Sequence, residues 1–261
     1  MRACRVLRVF TRGEAGGNHL GVVTDPSGLD GTAMQEIAAR LGFSETVFLD
    51  CTRPVPTARI FTPGAEIPFA GHPLVGAGWI LGAMGPWRRL ACGIGEVPFR
   101  SEGDRTWIEV ATSRDLEEVP PVVAAGTGLP VAMRAWMVRL PLRYLVLEAA
   151  TAELVGAARP DFDRLAVEPW EGTLLFARAA GGVKARFFAP ALGVPFEDPA
   201  TGSAAVAMAS ALSFAGEEEG SLVIDQGDEV GAPSRILLLW SGGMASVGGS
   251  VRRGEDRMLE R

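Results

Sequence analysis

The feature of the sequence that most constrains the fold is a short unit that occurs twice. Residues 59–81 read RIFTPGAEIPFAGHPLVGAGWIL, and residues 186–212 read RFFAPALGVPFEDPATGSAAVAMASAL. Five residues recur at equal spacings: Arg59, Phe61, Pro63, Pro68 and Phe69 match Arg186, Phe188, Pro190, Pro195 and Phe196. We interpret the pair as an internal duplication rather than two unrelated strand-turn-helix segments. A duplication predicts two similar α/β domains whose helix starts face one cleft.

Alternating and helical patterns of apolar residues place the elements of the first half. They predict strands at residues 4–10, 20–24, 45–49, 58–61 and 107–110, and a helix at 29–41 with Gly42 as its stop. The run GHPLVGAGWILGAM is too long for one strand, and Pro73 suits a first helical turn. A buried helix is therefore predicted to begin near His72.

The second half is predicted to contain strands at residues 136–140, 144–147 and 173–177 and a short helix at 160–165, before the second copy of the repeat. The polar, proline-containing stretch 113–130 is interpreted as a linker. We predict an N-terminal domain of residues 1–118 and a C-terminal domain of residues 119–261, whose last strand can return to the first domain.

Composition and charge exclude several classes of function. A formal charge of −6 without a basic patch argues against nucleic acid or an anionic membrane as the main partner. The three cysteines are far apart, which predicts neither a zinc site nor a disulfide framework. Lys184 is the only lysine, so a pyridoxal-phosphate Schiff base is not expected. Charges interrupt every apolar run near the N-terminus, and we expect a soluble, cytoplasmic protein.

The two helix starts indicate the kind of ligand. First-turn N–H groups and the positive end of the helix dipole favour anions, so two converging starts predict a carboxylate receptor. Gly71 would allow close backbone approach, and His72 would lie at the mouth as an orienting or proton-carrying group. The alternative for His72 is a structural histidine with satisfied hydrogen bonds.

Polar residues at the second helix start and one glutamate complete the candidate set. Asp198, Thr201 and Ser203 cluster in EDPATGSAA, where the alternative role for such residues is helix capping. Glu45 opens an apolar strand between Phe43 and Phe48, where desolvation would raise its pKa and suit proton exchange near neutral pH. The alternative for Glu45 is an exposed carboxylate at a strand start.

These motifs together resemble a known family. RIFTPGAEIPFAGHP, SETVFL and the highly specific EDPATGSA are similar to the PhzF family of phenazine-biosynthesis isomerases, within the diaminopimelate-epimerase-like fold. The resemblance extends over most of the chain, including VFTRGEAGGN, DQG at 225–227 and VGG at 247–249. It implies two pseudo-symmetric α/β domains, each a curved mixed sheet around a central helix, with the active site between them. It also implies a homodimer and catalysis without a metal or organic cofactor.

The resemblance implies a role for each matching residue. Glu45 would be the general acid/base that moves a proton between carbons of the substrate. His72, Asp198 and Ser203 would hold the substrate's amino, hydroxyl and carboxyl groups or assist the transfer. Gly71 and Gly202 would contribute backbone donors. Asn18 and Thr201 would also bind the substrate. Epimerases of this fold use two cysteines at the helix starts, whereas this chain has Ala70 and Thr201 there. A one-base proton shift by Glu45 is therefore expected.

Three positions depart from the family pattern. His19 stands where proline is usual after Gly-Asn, Ala65 replaces a polar neighbour of Glu66, and Ala232 stands where arginine is common. Loss of that arginine would remove a forked donor for a carboxylate. The expected substrate is therefore a small carboxylate-bearing metabolite, amino-acid-like or cyclic, with trans-2,3-dihydro-3-hydroxyanthranilate as one candidate from secondary metabolism.

Three competing functions were compared with the isomerase. A Ser-His-Asp hydrolase built from Ser203, His72 and Asp198 lacks the G-x-S-x-G elbow, since Ser203 lies in TGSAA. A nicotinamide enzyme lacks G-x-G-x-x-G after a strand. A non-catalytic carboxylate-binding protein on the same fold is the main alternative, and the presence of Glu45 argues against it, because a binder needs no buried proton shuttle.

Overall fold

The computed structural model describes residues 2–121 and 126–259 and shows a mixed α+β fold with one large mixed sheet system and few helices. The elements of the first half are β1 (Arg2–Thr11), β2 (Asn18–Val23), α1 (Gly31–Leu41), β3 (Glu45–Asp50), β4 (Thr57–Phe61), β5 (Glu66–Ile67), α2 (Gly71–Met84), β6 (Arg89–Cys92), β7 (Gly95–Glu102), β8 (Arg105–Ala111) and β9 (Leu116–Glu118). The five strands and two helices predicted for this half are confirmed. Helix α1 ends as predicted at Gly42, whose backbone is left-handed with φ of 67°.

The second half contains β10 (Arg134–Arg139), β11 (Arg143–Glu148), α3 (Ala152–Ala157), α4 (Phe162–Leu165), β12 (Gly172–Ala179), β13 (Gly182–Phe188), β14 (Glu197–Asp198), α5 (Gly202–Phe214), β15 (Gly220–Gln226), β16 (Ser234–Ser241), β17 (Met244–Arg253) and β18 (Arg257–Leu259). The predicted strands and the short helix are confirmed, whereas α3 was missed because its six residues make fewer than two helical turns. The linker prediction is wrong in part, because β9 pairs with β10. Residues 122–125 of that stretch lie outside the described residues.

The order of strand pairing is the same in both halves. In the first half β2 runs parallel to β3, β3 antiparallel to β4, and β4 parallel to β6. In the second half β11, β12, β13 and β15 repeat this pattern in the same order. Antiparallel strands β6 to β8 and β15 to β17 then follow α2 and α5. The predicted duplication is therefore present in the topology.

Strand register defines which residues correspond between the halves. Phe61 lies opposite Thr46 and Glu66, and Phe188 lies opposite Thr173 and Glu197. Phe61 and Glu66 are five positions apart, whereas Phe188 and Glu197 are nine apart, so the second copy has four additional residues.

Those four residues overturn part of the sequence alignment. Counted from the helix starts, Pro68 and Phe69 correspond to Pro199 and Ala200, and not to Pro195 and Phe196. The physical difference is clear at the phenylalanines, because Phe69 is 2% exposed and Phe196 is 41% exposed. The additional residues form a 3-10 turn at Pro190–Leu192 and the loop after it.

Helices α2 and α5 form the centres of the two halves. Both are apolar on all sides and almost completely buried, which is the pattern of a helix enclosed by other elements. Helix α2 packs against β1, β2, β7, β8 and β17, and α5 packs against β10, β11, β16 and β17. The two helices also contact each other.

Strands of the second half pair with strands of the first. Strand β17 pairs with both β1 and β8, and β18 pairs with β1. The division of the chain at residues 118 and 119 into two domains stays a prediction. No helix within the described ranges is long and apolar enough to span a bilayer.

Candidate active site

The two central helices begin against each other. A Cβ atom added to Gly71 would lie 2.6 Å from the Cα of Gly202, and one added to Gly202 would lie 2.9 Å from the Cα of Gly71. Glycine is thus required at both starts because the backbones are in direct contact. The positive ends of both helix dipoles therefore meet at one point in the molecule.

The first-turn N–H groups of these helices are available for a ligand. The first intrahelical bonds run from Leu74 N–H to the carbonyl of Ala70 and from Ala205 N–H to that of Thr201. The N–H groups before Leu74 and Ala205 therefore have no acceptor within their own helix. Among the described residues, no side chain caps either helix. The capping role considered for Thr201 and its neighbours is therefore wrong, and the hydroxyl of Thr201 donates to Asp198 instead.

Glu45 and His72 form a buried pair beside the helix starts. Strand β3 begins at Glu45, and Oε2 of Glu45 lies 3.4 Å from Nδ1 of His72. Glu45 is 9% exposed and His72 is 2% exposed, so the exposed-carboxylate alternative for Glu45 is wrong. Within the described part of the chain, Oε2 of Glu45 and Nε2 of His72 are buried without a hydrogen-bond partner. Nδ1 of His72 also contacts the amide of Asn18 at 3.4 Å and the backbone of His19 acts on its pKa, so its contacts fit a structural role as well as a role in proton transfer.

Burial sets the charge states of this pair. Desolvation raises the pKa of Glu45 well above its ordinary value, and the nearby Asp198 carboxylate raises it further. Desolvation lowers the pKa of His72 to about 3. At neutral pH a neutral imidazole therefore faces a carboxyl group that can hold or release a proton.

Asp198 is the second buried carboxylate and is held by hydrogen bonds. The Nδ2 of Asn18 donates to Oδ1 of Asp198 at 2.7 Å and to the carbonyl of Ala200 at 3.0 Å. The hydroxyl of Ser44 in turn donates to Oδ1 of Asn18 at 3.0 Å. Burial raises the pKa of Asp198, while hydrogen bonds from Thr201 and Asn18 act in the opposite direction.

A small cavity lies between Glu45 and the second half. Its volume is about 20 Å³, room for about one water, so a substrate must enlarge it on entry. Glu45, Asp198, Thr201 and Ser203 line one side. The remaining wall consists of apolar side chains and one phenol, from Ile67, Phe69, Ala70, Leu142, Tyr144, Phe187, Ala189, Leu192 and Val194. Lysine and arginine are absent from this lining as far as the chain is described.

The structure brings the predicted residues into one site. Asn18 joins the two halves of it, since its amide contacts Nδ1 of His72 at 3.4 Å as well as Asp198. Sequence reasoning missed Ser44, Tyr144 and Gln226. The adjacency of Ser44 to Glu45 could have indicated the first, and the DQG element the third.

Gln226 connects β15 to the start of α5. Its Nε2 donates to the carbonyl of Asp198 at 2.7 Å and to Oγ1 of Thr201 at 3.2 Å, and its Oε1 accepts from Thr201 N–H at 3.4 Å. Gln226 is 1% exposed. It therefore fixes the turn that positions the Asp198 carboxylate.

The three departures from the family pattern lie outside the cavity wall. His19 is exposed and stacks on Phe43, with ring centroids 5.9 Å apart. Ala65 is exposed in the loop between β4 and β5. Ala232 lies in the loop next to Gly227.

The fold and site define a protein of the epimerase-like isomerase class. The model of the phenazine biosynthesis-like (PhzC-PhzF) family matches residues 7–124 and 132–247. The chain belongs to this family. A trans-2,3-dihydro-3-hydroxyanthranilate isomerase of Pseudomonas chlororaphis is 33% identical over 89% of this chain and 88% of its own length. An uncharacterised isomerase of Mesorhizobium japonicum is 32% identical over 96% of both chains.

Solved structures support the same fold. A PhzF family protein of Enterococcus faecalis matches with a TM-score of 0.82 at 21% identity over 98% of both chains. A probable proline racemase of Agrobacterium radiobacter matches with a TM-score of 0.68 at 10% identity over 100% of this chain and 93% of its own. At these identities the likeness concerns the fold alone.

Proposed function

We propose that this protein is a cofactor-independent isomerase in which Glu45 moves a proton between two carbons of a small carboxylate-bearing substrate. The observation that carries the proposal is the position of Glu45. It is a buried carboxyl group with a raised pKa, lines a small cavity, and lies 3.4 Å from a histidine that is neutral because burial lowers its pKa. A carboxyl group in this state can exchange protons near neutral pH.

The site's polarity supports a substrate with an acidic and an amino group. Its carboxylate would bind at the joined helix starts, where the N–H groups of Gly71 and Gly202 and of the residues after them point. An ammonium group would lie near Asp198 and Glu45. That positive charge would lower the pKa of Glu45 and produce the carboxylate that removes the substrate's proton.

One base is expected because the counterpart of Glu45 in the second half cannot ionise. Strand register makes Gly172 its counterpart, and a Cβ atom there would lie 2.6 Å from the ring of Phe187. The positions at the helix starts hold Ala70 and Thr201, which are not thiols. Glu45 would therefore remove the proton and return it to a second carbon on the same face. His72 and Asp198 would orient the substrate during the transfer.

The named substrate of the Pseudomonas chlororaphis relative fits this description. Trans-2,3-dihydro-3-hydroxyanthranilate carries a carboxylate, an amine and a hydroxyl on a cyclic frame. The apolar wall of the cavity suits such a ring. We propose a cyclic amino acid of this class as substrate, with that compound as the first to test.

The hydrolase alternative is poorly supported by the contacts. His72 faces Glu45 and Asn18, while Asp198 accepts from Asn18 and Thr201. A relay from serine through histidine to aspartate requires different pairs. A carboxylate-binding protein without turnover is separated from the isomerase by the experiment below.

The test is hydrogen exchange in D₂O, followed by NMR with trans-2,3-dihydro-3-hydroxyanthranilate and a panel of cyclic amino acids. Wild type should place deuterium on carbon. Glu45→Gln should lower that rate by about a thousandfold because the amide cannot accept the proton. The matched control is Glu66→Gln, which alters an exposed glutamate paired with Arg59 and should leave the rate unchanged. Binding without exchange in wild type would support the non-catalytic alternative.

Assembly and location stay predictions. The family resemblance favours a homodimer, and light scattering on the purified protein tests it. A cytoplasmic location is favoured by the sequence pattern, and fractionation of cells that express the chain tests that prediction.

A further inference from the structure

One polar group in the cavity has no role in the proton transfer described above. Tyr144, the only tyrosine of the chain, is 2% exposed and lines the same cavity as Glu45 and Ser203. Its ring packs on that of Phe187, with centroids 6.1 Å apart. The surrounding wall is otherwise apolar, so the phenol is the polar group on that side.

The repeat shows that packing alone does not require a hydroxyl here. Strand register places Leu20 opposite Glu45 in the first half and Tyr144 opposite Gly172 in the second. Leu20 is completely buried at the corresponding position. A purely apolar side chain thus fills this position of the fold, and Tyr144 adds a buried hydroxyl that needs a partner.

The candidate partner is the hydroxyl of Ser203 at the start of α5, which lines the same cavity as the phenol and acts toward a lower pKa of Tyr144. Burial raises the pKa of Tyr144, so the phenol stays a neutral donor across the working range of pH. Hydroxyl protons rotate freely, and both groups can turn toward an oxygen that enters between them.

We infer that Tyr144 and Ser203 form a two-hydroxyl receptor for the substrate carboxylate, with Tyr144 as the residue that selects an acid over its uncharged analogue. The identity of the ligand as a carboxylate is taken from the proposed function. Because the described cavity lining contains no arginine or lysine, the two neutral hydroxyls and the N–H groups of α5 would bind the carboxylate instead. An amine would instead be drawn to Glu45 and Asp198, on the acceptor side of the cavity.

Equilibrium binding of two stable probes tests the inference by calorimetry. The probes are 3-hydroxyanthranilate, the aromatic acid with the same substituents as the relative's substrate, and its carboxamide. Wild type should prefer the acid, and Tyr144→Phe should weaken acid binding about tenfold or more while changing carboxamide binding far less. Thr46→Val is the matched control, because it removes a buried, unpartnered hydroxyl next to Glu45 that does not line the cavity. It should leave both affinities unchanged.

Three results would overturn the inference. The first is that wild type and Tyr144→Phe bind the acid with equal affinity. The second is that Tyr144→Phe loses as much affinity for the carboxamide as for the acid. The third is that wild type binds the carboxamide as tightly as the acid. Thermal melting verifies that the variant is folded. If one of these results is found while wild type still places deuterium on carbon, the two-hydroxyl receptor is refuted and the isomerase proposal is not. If Tyr144 confers the acid preference but no deuterium is placed on carbon, the isomerase proposal is refuted and the receptor is not.

Discussion

The two halves of this protein share one scaffold but place different chemistry on it. Around the cavity, three polar or ionisable side chains of the first half correspond to smaller or apolar ones of the second, before β11, at the start of β12 and at the start of α5. The corresponding pairs, first half first, are Asn18 and Leu142, Glu45 and Gly172, and His72 and Ser203. The reverse holds at two places, where Ile67 on β5 corresponds to Asp198 on β14 and Leu20 on β2 corresponds to Tyr144 on β11.

This difference teaches how a symmetric fold can hold an asymmetric site. Symmetry is kept where backbones meet, at Gly71 and Gly202, because any side chain there would separate the helices. It is lost in the side chains that face the cavity. At Gly172 the loss is enforced by packing, since the ring of Phe187 occupies the space that a second base would need.

The largest effect expected from the comparison concerns two equivalent ion pairs. Arg186 and Glu197 are buried, with side chains 6% and 4% exposed, whereas Arg59 and Glu66 are 39% and 43% exposed. Arg186 also donates to the carbonyl of Ala158 at 2.8 Å at the end of α3. Arg186→Ala should lower the free energy of unfolding by about 3–5 kcal/mol. Arg59→Ala should lower it by about 0–1 kcal/mol.

Urea unfolding of both variants measures this difference. The reason for it is that Arg186→Ala leaves the Glu197 charge buried and unpaired, while water can solvate Glu66. Replacing both members of the buried pair, in Arg186→Met with Glu197→Met, should recover much of the loss. Equal costs at the two arginines would show that burial does not distinguish the halves.

The next effect tests the shared contact of the helix starts. Gly71→Ala and Gly202→Ala should each destabilise the protein by about 1–3 kcal/mol, because the new methyl group meets backbone that cannot rotate away. Gly71→Ala should cost more, since its Cβ would approach to 2.6 Å rather than 2.9 Å. Thermal melting measures both.

A control for these glycines lies in α3. Gly156→Ala places its methyl group near only the end of the Glu229 side chain, at 3.3 Å, and should be neutral or slightly stabilising. A cost at Gly156 equal to that at Gly71 would mean that helix contact is not the cause.

Most of the fold and the core of the site could be predicted from the sequence because they rest on local patterns. Helix α2 follows from a long run of apolar residues with Pro73 in its first turn, and the duplication follows from two similar segments. Glu45, His72 and Asp198 were selected by motif, and the structure places them together. Their catalytic roles await the exchange experiment.

What could not be predicted depends on packing between distant segments. The four additional residues before Glu197 shift the repeat, and only strand pairing reveals the shift. Tyr144 lies in an ordinary strand pattern, and its place in the cavity depends on how β11 meets the start of α5. Gln226 is likewise brought to Asp198 by β15, far along the chain.

The smallest effect expected is a pH dependence of stability that Glu45 gives to the first half. Because burial raises the pKa of Glu45 above its ordinary 4.5, the folded protein retains a proton that the unfolded chain releases. Stability is therefore lost as pH rises through the raised pKa. Glu45→Gln removes this loss, so the stability of the variant should gain on that of wild type as pH rises from about pH 5 to about pH 8.

Thermal unfolding of both proteins across that range measures the gain, with Glu66→Gln as a control whose titration lies at lower pH. Hydrogen bonds from Arg59 lower the pKa of Glu66, so its contribution to stability is present at high pH and lost as pH falls. That change lies below the ordinary pKa of 4.5, so from about pH 5 to about pH 8 the stability curve of Glu66→Gln should run parallel to that of wild type. Parallel stability curves for wild type and Glu45→Gln would mean that Glu45 ionises freely in the folded protein. The first half would then have no buried carboxyl group with a raised pKa to distinguish it from the second.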